Sequence, residues 1–148
     1  MRKLARDRSW ALVKGMKLRE VAEILEAEVL VGHEKLDMEV RKAFASDLMS
    51  DVLAFATEGS LLLTGLTNAQ VVRTAEMLDM SAVIFVRGKR PQTEAVELAR
   101  MKGIPLLSTP YILYETCGRL YKCGIVGCRQ KVEKGSVSFE RAELGSSP

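Results

Sequence analysis

Four short polar segments carry side chains suited to holding an anion: Ser46-Asp47, Thr64 to Asn68, Arg87 to Arg90, and Ser108-Thr109. Each follows a stretch that reads as a β-strand. Turns after parallel strands share one edge of a sheet, so these segments should converge. Hydroxyls, free amides and a basic cluster together suit an anion or a nucleotide phosphate. The candidate ligand-binding residues are therefore Ser46, Asp47, Thr64, Gly65, Thr67, Asn68, Arg87, Lys89, Ser108 and Thr109. Ser and Thr also cap helices without any ligand, and a basic turn is commonly just solvated. Asp47 is the awkward member, because it would repel a phosphate. It can instead cap its helix or meet a ribose hydroxyl.

Other constellations promise less. Cys117, Cys123 and Cys128 are spaced C-x5-C and C-x4-C. Thiolate metal sites usually have four ligands, often in C-x2-C pairs. No metal is expected, and Cys117 falls on the inner stripe of a helix. His33 is the sole histidine, in a charged turn with Glu34 and Lys35; alone it makes neither a triad nor a metal site. Asp47 and Asp51 would share a helix face, where acids near an N-terminus favour the macrodipole. No Gly-x-x-x-x-Gly-Lys-Ser/Thr loop and no Gly-x-Gly-x-x-Gly occurs, so the phosphate cradles built on those motifs are missing. With no nucleophile–base set, no enzyme, catalytic residue or cofactor is expected.

Composition bounds the partners. The chain has 148 residues, 47% hydrophobic and 28% charged, enough for one domain with a proper core. Its net charge of +3 is concentrated in residues 1–15, where Arg2, Lys3, Arg6, Arg8 and Lys14 face only Asp7. The rest is nearly balanced, with no general nucleic-acid footprint. No apolar run approaches the roughly 20 residues that span a bilayer, and the N-terminus lacks a secretory core. An odd number of cysteines argues against a disulfide scaffold. A cytoplasmic protein is expected, with no nucleic-acid or membrane partner.

The elements that must position the polar turns can be read in order. Residues 1–15 read as a basic extension, and Met16 as a candidate natural start. Met16–Ala27 is an amphipathic helix with Leu18, Val21, Ala22 and Leu25 on one face. Val29–Val31 is a small strand ended by Gly32. Met38–Ala45 reads as one strand with Val40 and Phe44 on the same face, near an edge. Ser46 or Asp47 caps a helix through Ala56, with Leu48, Val52, Leu53 and Ala56 facing in.

Leu61–Leu63 has no polar alternation, as expected of a strand covered on both faces. Gly65 allows the turn, and Thr67 with Gln70 reads as a capping box opening a helix to Met80. Ala82–Val86 is a second buried strand. Pro91 then suits the first turn of a helix to Lys102, and Gly103 stops it. Ile104–Leu107 is a third buried strand, after which Thr109 caps a last helix with Pro110 at its first position. Ile112, Leu113, Cys117 and Leu120 form its inner side. Strand, polar turn and helix in repetition imply a three-layer α/β/α fold with a mostly parallel sheet of about five strands. The domain spans residues 16–124. Residues 125–148 read as a polar tail, with a short strand at Val137–Phe139.

This order resembles the DRTGG domain, related to the N-terminal domain of HPr kinase/phosphorylase. The matching residues are Ala45 to Leu53, Leu63-Thr64-Gly65 with Thr67-Asn68, Gly103 to Ser108, and Tyr114-Glu115-Thr116. The similarity covers about Met16 to Tyr121. The name-giving Thr-Gly-Gly is here Thr64-Gly65-Leu66, and the Asp-Arg pair has no counterpart near Glu58-Gly59-Ser60. The chain looks closer to small stand-alone members, some encoded beside iron-only hydrogenases. The resemblance implies self-association and a regulatory or sensory role; it implies no kinase chemistry, which resides in a separate P-loop domain.

The resulting expectation is a non-catalytic homodimer that binds a phosphorylated small molecule, a nucleotide or a protein partner. Met49, Phe55, Met77, Met80 and Ile112 supply an apolar surplus for the dimer contact. The alternative is an accessory redox or metal-cluster protein that uses the C-terminal cysteines.

Overall fold

The structure, a computed structural model, describes residues 15–133. The expectations for residues 1–14 and for Val137–Phe139 lie outside the described residues. In chain order the elements are β1 (Met16–Lys17), α1 (Leu18–Ile24), β2 (Glu28–Val31), a 3-10 turn (His33–Lys35), β3 (Glu39–Val40), β4 (Lys42–Ala45), α2 (Met49–Phe55), β5 (Leu61–Thr64), α3 (Ala69–Met77), β6 (Ala82–Phe85), α4 (Thr93–Lys102), β7 (Leu106–Ser108), α5 (Leu113–Lys122) and β8 (Val126–Gly127).

Every residue of β5 and β6 is buried. A strand can do this only if both faces are covered, because successive side chains point to opposite sides. Leu62, Val83, Phe85 and Leu106 project into one core, with α2, α3 and α4 packed over it. Leu61, Leu63, Ala82, Ile84 and Leu107 project into the other, beneath α1 and α5. Fully burying each Leu or Phe contributes about 1.5–3 kcal/mol. The three-layer architecture follows from these apolar runs.

Among the described residues the main sheet has six strands in the order β2-β7-β6-β5-β4-β8. β4, β5, β6, β7 and β8 run parallel, while β2 pairs antiparallel with β7 and carries a bulge between Val29 and Val31. The sixth strand is β8, inside the stretch that composition reads as tail. Ile125, just before it, is buried in the α1/α5 core.

Several local expectations are corrected. Met38–Ala45 is two strands: β3 pairs antiparallel with β1, while β4 joins the main sheet. The break at Arg41 sends Val40 into the α1/α5 core and Phe44 against the opposite one, so they do not share a face. The first helix begins at Leu18 after a two-residue strand. The Glu20 carboxylate accepts the Lys17 amide at 2.8 Å.

At α2, Leu48 stands at the N-cap, with Ser46 Oγ accepting the Leu48 amide at 2.9 Å. Leu48 and Leu53, expected inside, are 57% and 42% exposed; only Val52 is fully buried on this short helix. Asn68 rather than Thr67 caps α3, accepting from the Val71 amide at 3.3 Å. α4 begins at Thr93, two residues beyond Pro91. α5 begins at Leu113, so Thr109 does not cap it, and Ile112 is 59% exposed. Gly103 does end α4, with φ 70°. Met80, expected on the apolar surface, is buried.

Gly32 has φ 91°, and a Cβ there would sit 2.8 Å from Pro105 Cα. Both backbone conformation and close approach require glycine. Gly32→Ala should lower unfolding free energy by about 1–3 kcal/mol, with the same m-value, in urea denaturation.

Candidate functional site

The parallel register brings the strand ends together. Thr64 is level with Phe85, and Phe85 with Ser108. Ser46 extends the same edge, its amide donating to the Leu63 carbonyl at 3.1 Å. The turns after β4, β5, β6 and β7 therefore meet at one edge.

Four candidates form the centre of this edge. Asp47 Oδ1 accepts from the Thr64 hydroxyl at 2.9 Å and from the Gly65 amide at 2.7 Å. Thr64, fully buried, also accepts the Leu66 amide at 3.2 Å. The amide after Thr64, proposed for an anion, is thus held by the exposed Asp47 carboxylate of the same chain. Arg87 comes from the next turn. Its Nη2 stands 2.7 Å from the place a Gly65 Cβ would take, and Asp47 Oδ2 stands 3.5 Å from that place.

Arg87 has φ 62°, a left-handed conformation that disfavours residues with a side chain. Two hydrogen bonds hold it there. The Arg87 amide donates to the Tyr111 carbonyl and the Gly88 amide to the Thr109 carbonyl, each at 2.8 Å. Among the described residues the Arg87 side chain has no hydrogen bond or ion pair. Arg90, by contrast, is tied to Glu28 at 2.5 Å.

The remaining candidates divide. Thr67 and Asn68 lie on the loop into α3, where the Thr67 carbonyl accepts from Gln92 at 2.9 Å. Lys89 has an exposed side chain, and its carbonyl accepts the Ser108 hydroxyl at 2.7 Å. Thr109 does not line the edge. It is fully buried, and its hydroxyl donates to the Leu25 carbonyl at 2.6 Å, toward the α1 layer. Here the chain crosses from the sheet edge to the layer of α1 and α5.

Sequence reasoning did not find Tyr111. Its carbonyl fixes Arg87, its hydroxyl donates to Glu26, and Arg119 lies 3.9 Å over its ring. The Glu26 hydrogen bond raises the Tyr111 pKa above its ordinary value. A tyrosine between a proline and an isoleucine carries no local signal of this role.

The cysteines lie elsewhere. All three are free, and among the described residues no group of three or more His, Cys, Asp or Glu is placed to hold a metal. Cys117 lines an apolar groove of about 140 Å³ between α5 and strands β4, β5 and β8, beside Leu63, Leu120 and Ile125. Burial pushes its thiol pKa up, the opposite of an activated thiolate. His33 is exposed in its turn. No described helix is long and apolar enough to cross a membrane.

Asp47→Ala would leave the buried Thr64 hydroxyl without its acceptor. Stability should fall by about 1–3 kcal/mol. Asp47→Asn, which keeps an acceptor oxygen, should lose less than half of that. Urea melts of the two variants compare them directly.

The chain matches the DRTGG domain family over residues 20–123. No curated relative matches it. Among solved structures it is similar to the crystal structure of the CBS and DRTGG domains of the regulatory region of Clostridium perfringens pyrophosphatase, complexed with its activator diadenosine tetraphosphate. The TM-score is 0.62 and the identity 18%, over 89% of this chain and 60% of that one. At that identity the likeness shows a common fold. The fold agreement stands beside a family match that extends from α1 to the end of α5, and the chain belongs to the DRTGG domain family.

Proposed function

We propose that this chain is a non-catalytic regulatory domain that binds a phosphorylated, nucleotide-like ligand at the edge formed by Asp47, Thr64, Gly65 and Arg87. Arg87 carries this reading. Its exposed guanidinium has no partner among the described residues, yet its backbone is held in a conformation that costs about 1 kcal/mol or more. Such strain persists only where neighbours over-determine it, and the Tyr111 and Thr109 carbonyls do so here. An unpaired arginine at a sheet's carboxyl edge is suited to a phosphate. Lys89 lies two residues on, and the capped N-terminus of α3 adds partial positive charge nearby.

The similarity to a regulatory region complexed with a dinucleoside polyphosphate supports testing nucleotides first. In this reading the domain is cytoplasmic and acts as a homodimer, its effect passed on to a protein partner. Exposed Leu48, Met77, Met101 and Ile112 are the apolar side chains available for such contacts. Nothing in the placement of the cysteines favours the redox alternative.

Isothermal titration and thermal shift with AMP, ATP and diadenosine tetraphosphate test the proposal. At least one should raise the melting temperature of the full chain. Arg87→Ala should weaken that binding by about 1.5–3 kcal/mol while the fold survives. The absence of heat and of melting shift with all three would contradict it.

A further inference from the structure

We infer that the same edge recognises a sugar hydroxyl of its ligand, through Asp47 and Arg87 acting together on one bridging oxygen. This rests on the ligand reading above and adds the chemical group selected there.

Asp47 is anchored on one side only. Its Oδ1 accepts both the Thr64 hydroxyl and the Gly65 amide, which fixes the direction of Oδ2. Oδ2 has no hydrogen-bond partner among the described residues. It and Arg87 Nη2 flank the bare α-carbon of Gly65, 3.5 Å and 2.7 Å from the place a Cβ would occupy. The two side chains do not form an ion pair. Opposite charges thus lie near one another without direct contact, and the inferred oxygen stands between them, hydrogen-bonded to both.

The chemistry of that oxygen is constrained. It must accept from the Arg87 guanidinium and donate to the Asp47 carboxylate. A hydroxyl does both, as does the water that a ligand hydroxyl would displace. An ionised phosphate oxygen has no proton to donate and is repelled by Asp47. An ammonium group suits Asp47 and is repelled by Arg87. The phosphate of the ligand would then use the outward donors of Arg87, which has five N–H groups, and Lys89.

The residue type at Gly65 agrees with the assignment. Gly65 is not among the glycines with positive φ, so its conformation does not demand glycine. A Cβ would instead stand where the bridging oxygen must pass, within 2.7 Å of Arg87 Nη2. The missing side chain keeps the gap open. A sugar hydroxyl beside a phosphate occurs in both nucleotides and free sugar phosphates.

The test compares ATP, its 2′,3′-dideoxy analogue, tripolyphosphate and ribose 5-phosphate by isothermal titration with the full chain. ATP should bind about tenfold or more tightly than the dideoxy analogue, the loss expected for one hydrogen bond to a charged group. Asp47→Asn keeps the acceptor for Thr64 and Gly65 and can turn its outer atom into an amide donor. It should erase the preference for ATP over the dideoxy analogue and strengthen tripolyphosphate binding. If that variant unfolds, Gly65→Ala serves instead and should also erase the preference. Ribose 5-phosphate binding as tightly as ATP would identify a sugar phosphate as the ligand class, with the hydroxyl assignment intact. Equal binding of ATP and its dideoxy analogue by the unmodified chain overturns the inference, as does an Asp47→Asn variant that retains the preference. Tripolyphosphate binding as tightly as ATP overturns it while leaving the phosphate reading in place. No binding of any probe overturns both.

Discussion

Strands β5 and β6 bury every residue, and the rest of the molecule follows from that burial. Apolar side chains leave each strand on both sides, so both faces of the sheet need helices. Right-handed crossovers place those helices between parallel strands and leave the strand ends aligned. The polar turns have nowhere else to go. The candidate site is therefore a consequence of core packing, and its residues are distant in sequence but level in the sheet.

The edge itself is held by polar contacts that leave little to chance. Asp47 joins the turn after β4 to the turn after β5. The loop after β7 grips the turn after β6 through the amides of Arg87 and Gly88. Thr109 then ties that loop to the end of α1. Hydroxyls that resemble ligand donors in the sequence are here structural: Thr64, Ser108 and Thr109 each donate within the protein. What remains without a partner among the described residues is a carboxylate oxygen of Asp47 and the guanidinium of Arg87, and the inferred hydroxyl contact rests on that pair.

The central strands and helix order were legible because long apolar runs and the glycine after α4 have few alternatives. Positions that depend on one hydrogen bond were not. Thr67 and Asn68 can both cap a helix, and only the geometry of the incoming loop selects Asn68. Met38–Ala45 alternates well enough for one strand, yet a break at Arg41 divides it between two sheets. β8 is two residues long, including one glycine, and has no pattern to detect. At the site, position after strands put all four polar turns at one edge; Asp47, Thr64, Gly65 and Arg87 do meet there, whereas Thr109 turns inward. Position could not reveal that Asp47 already occupies the Gly65 amide, since that contact joins residues 18 apart.

The central claim is that ligand meets protein at the carboxyl ends of β4, β5 and β6. Amide chemical shifts followed by two-dimensional NMR during titration with ATP test it most directly. The account predicts the largest changes at Gly65, Leu66, Arg87 and Gly88, on opposite sides of the gap. Changes confined to Cys117, Leu120 and Ile125 would place the ligand in the apolar groove beneath α5 and contradict the account.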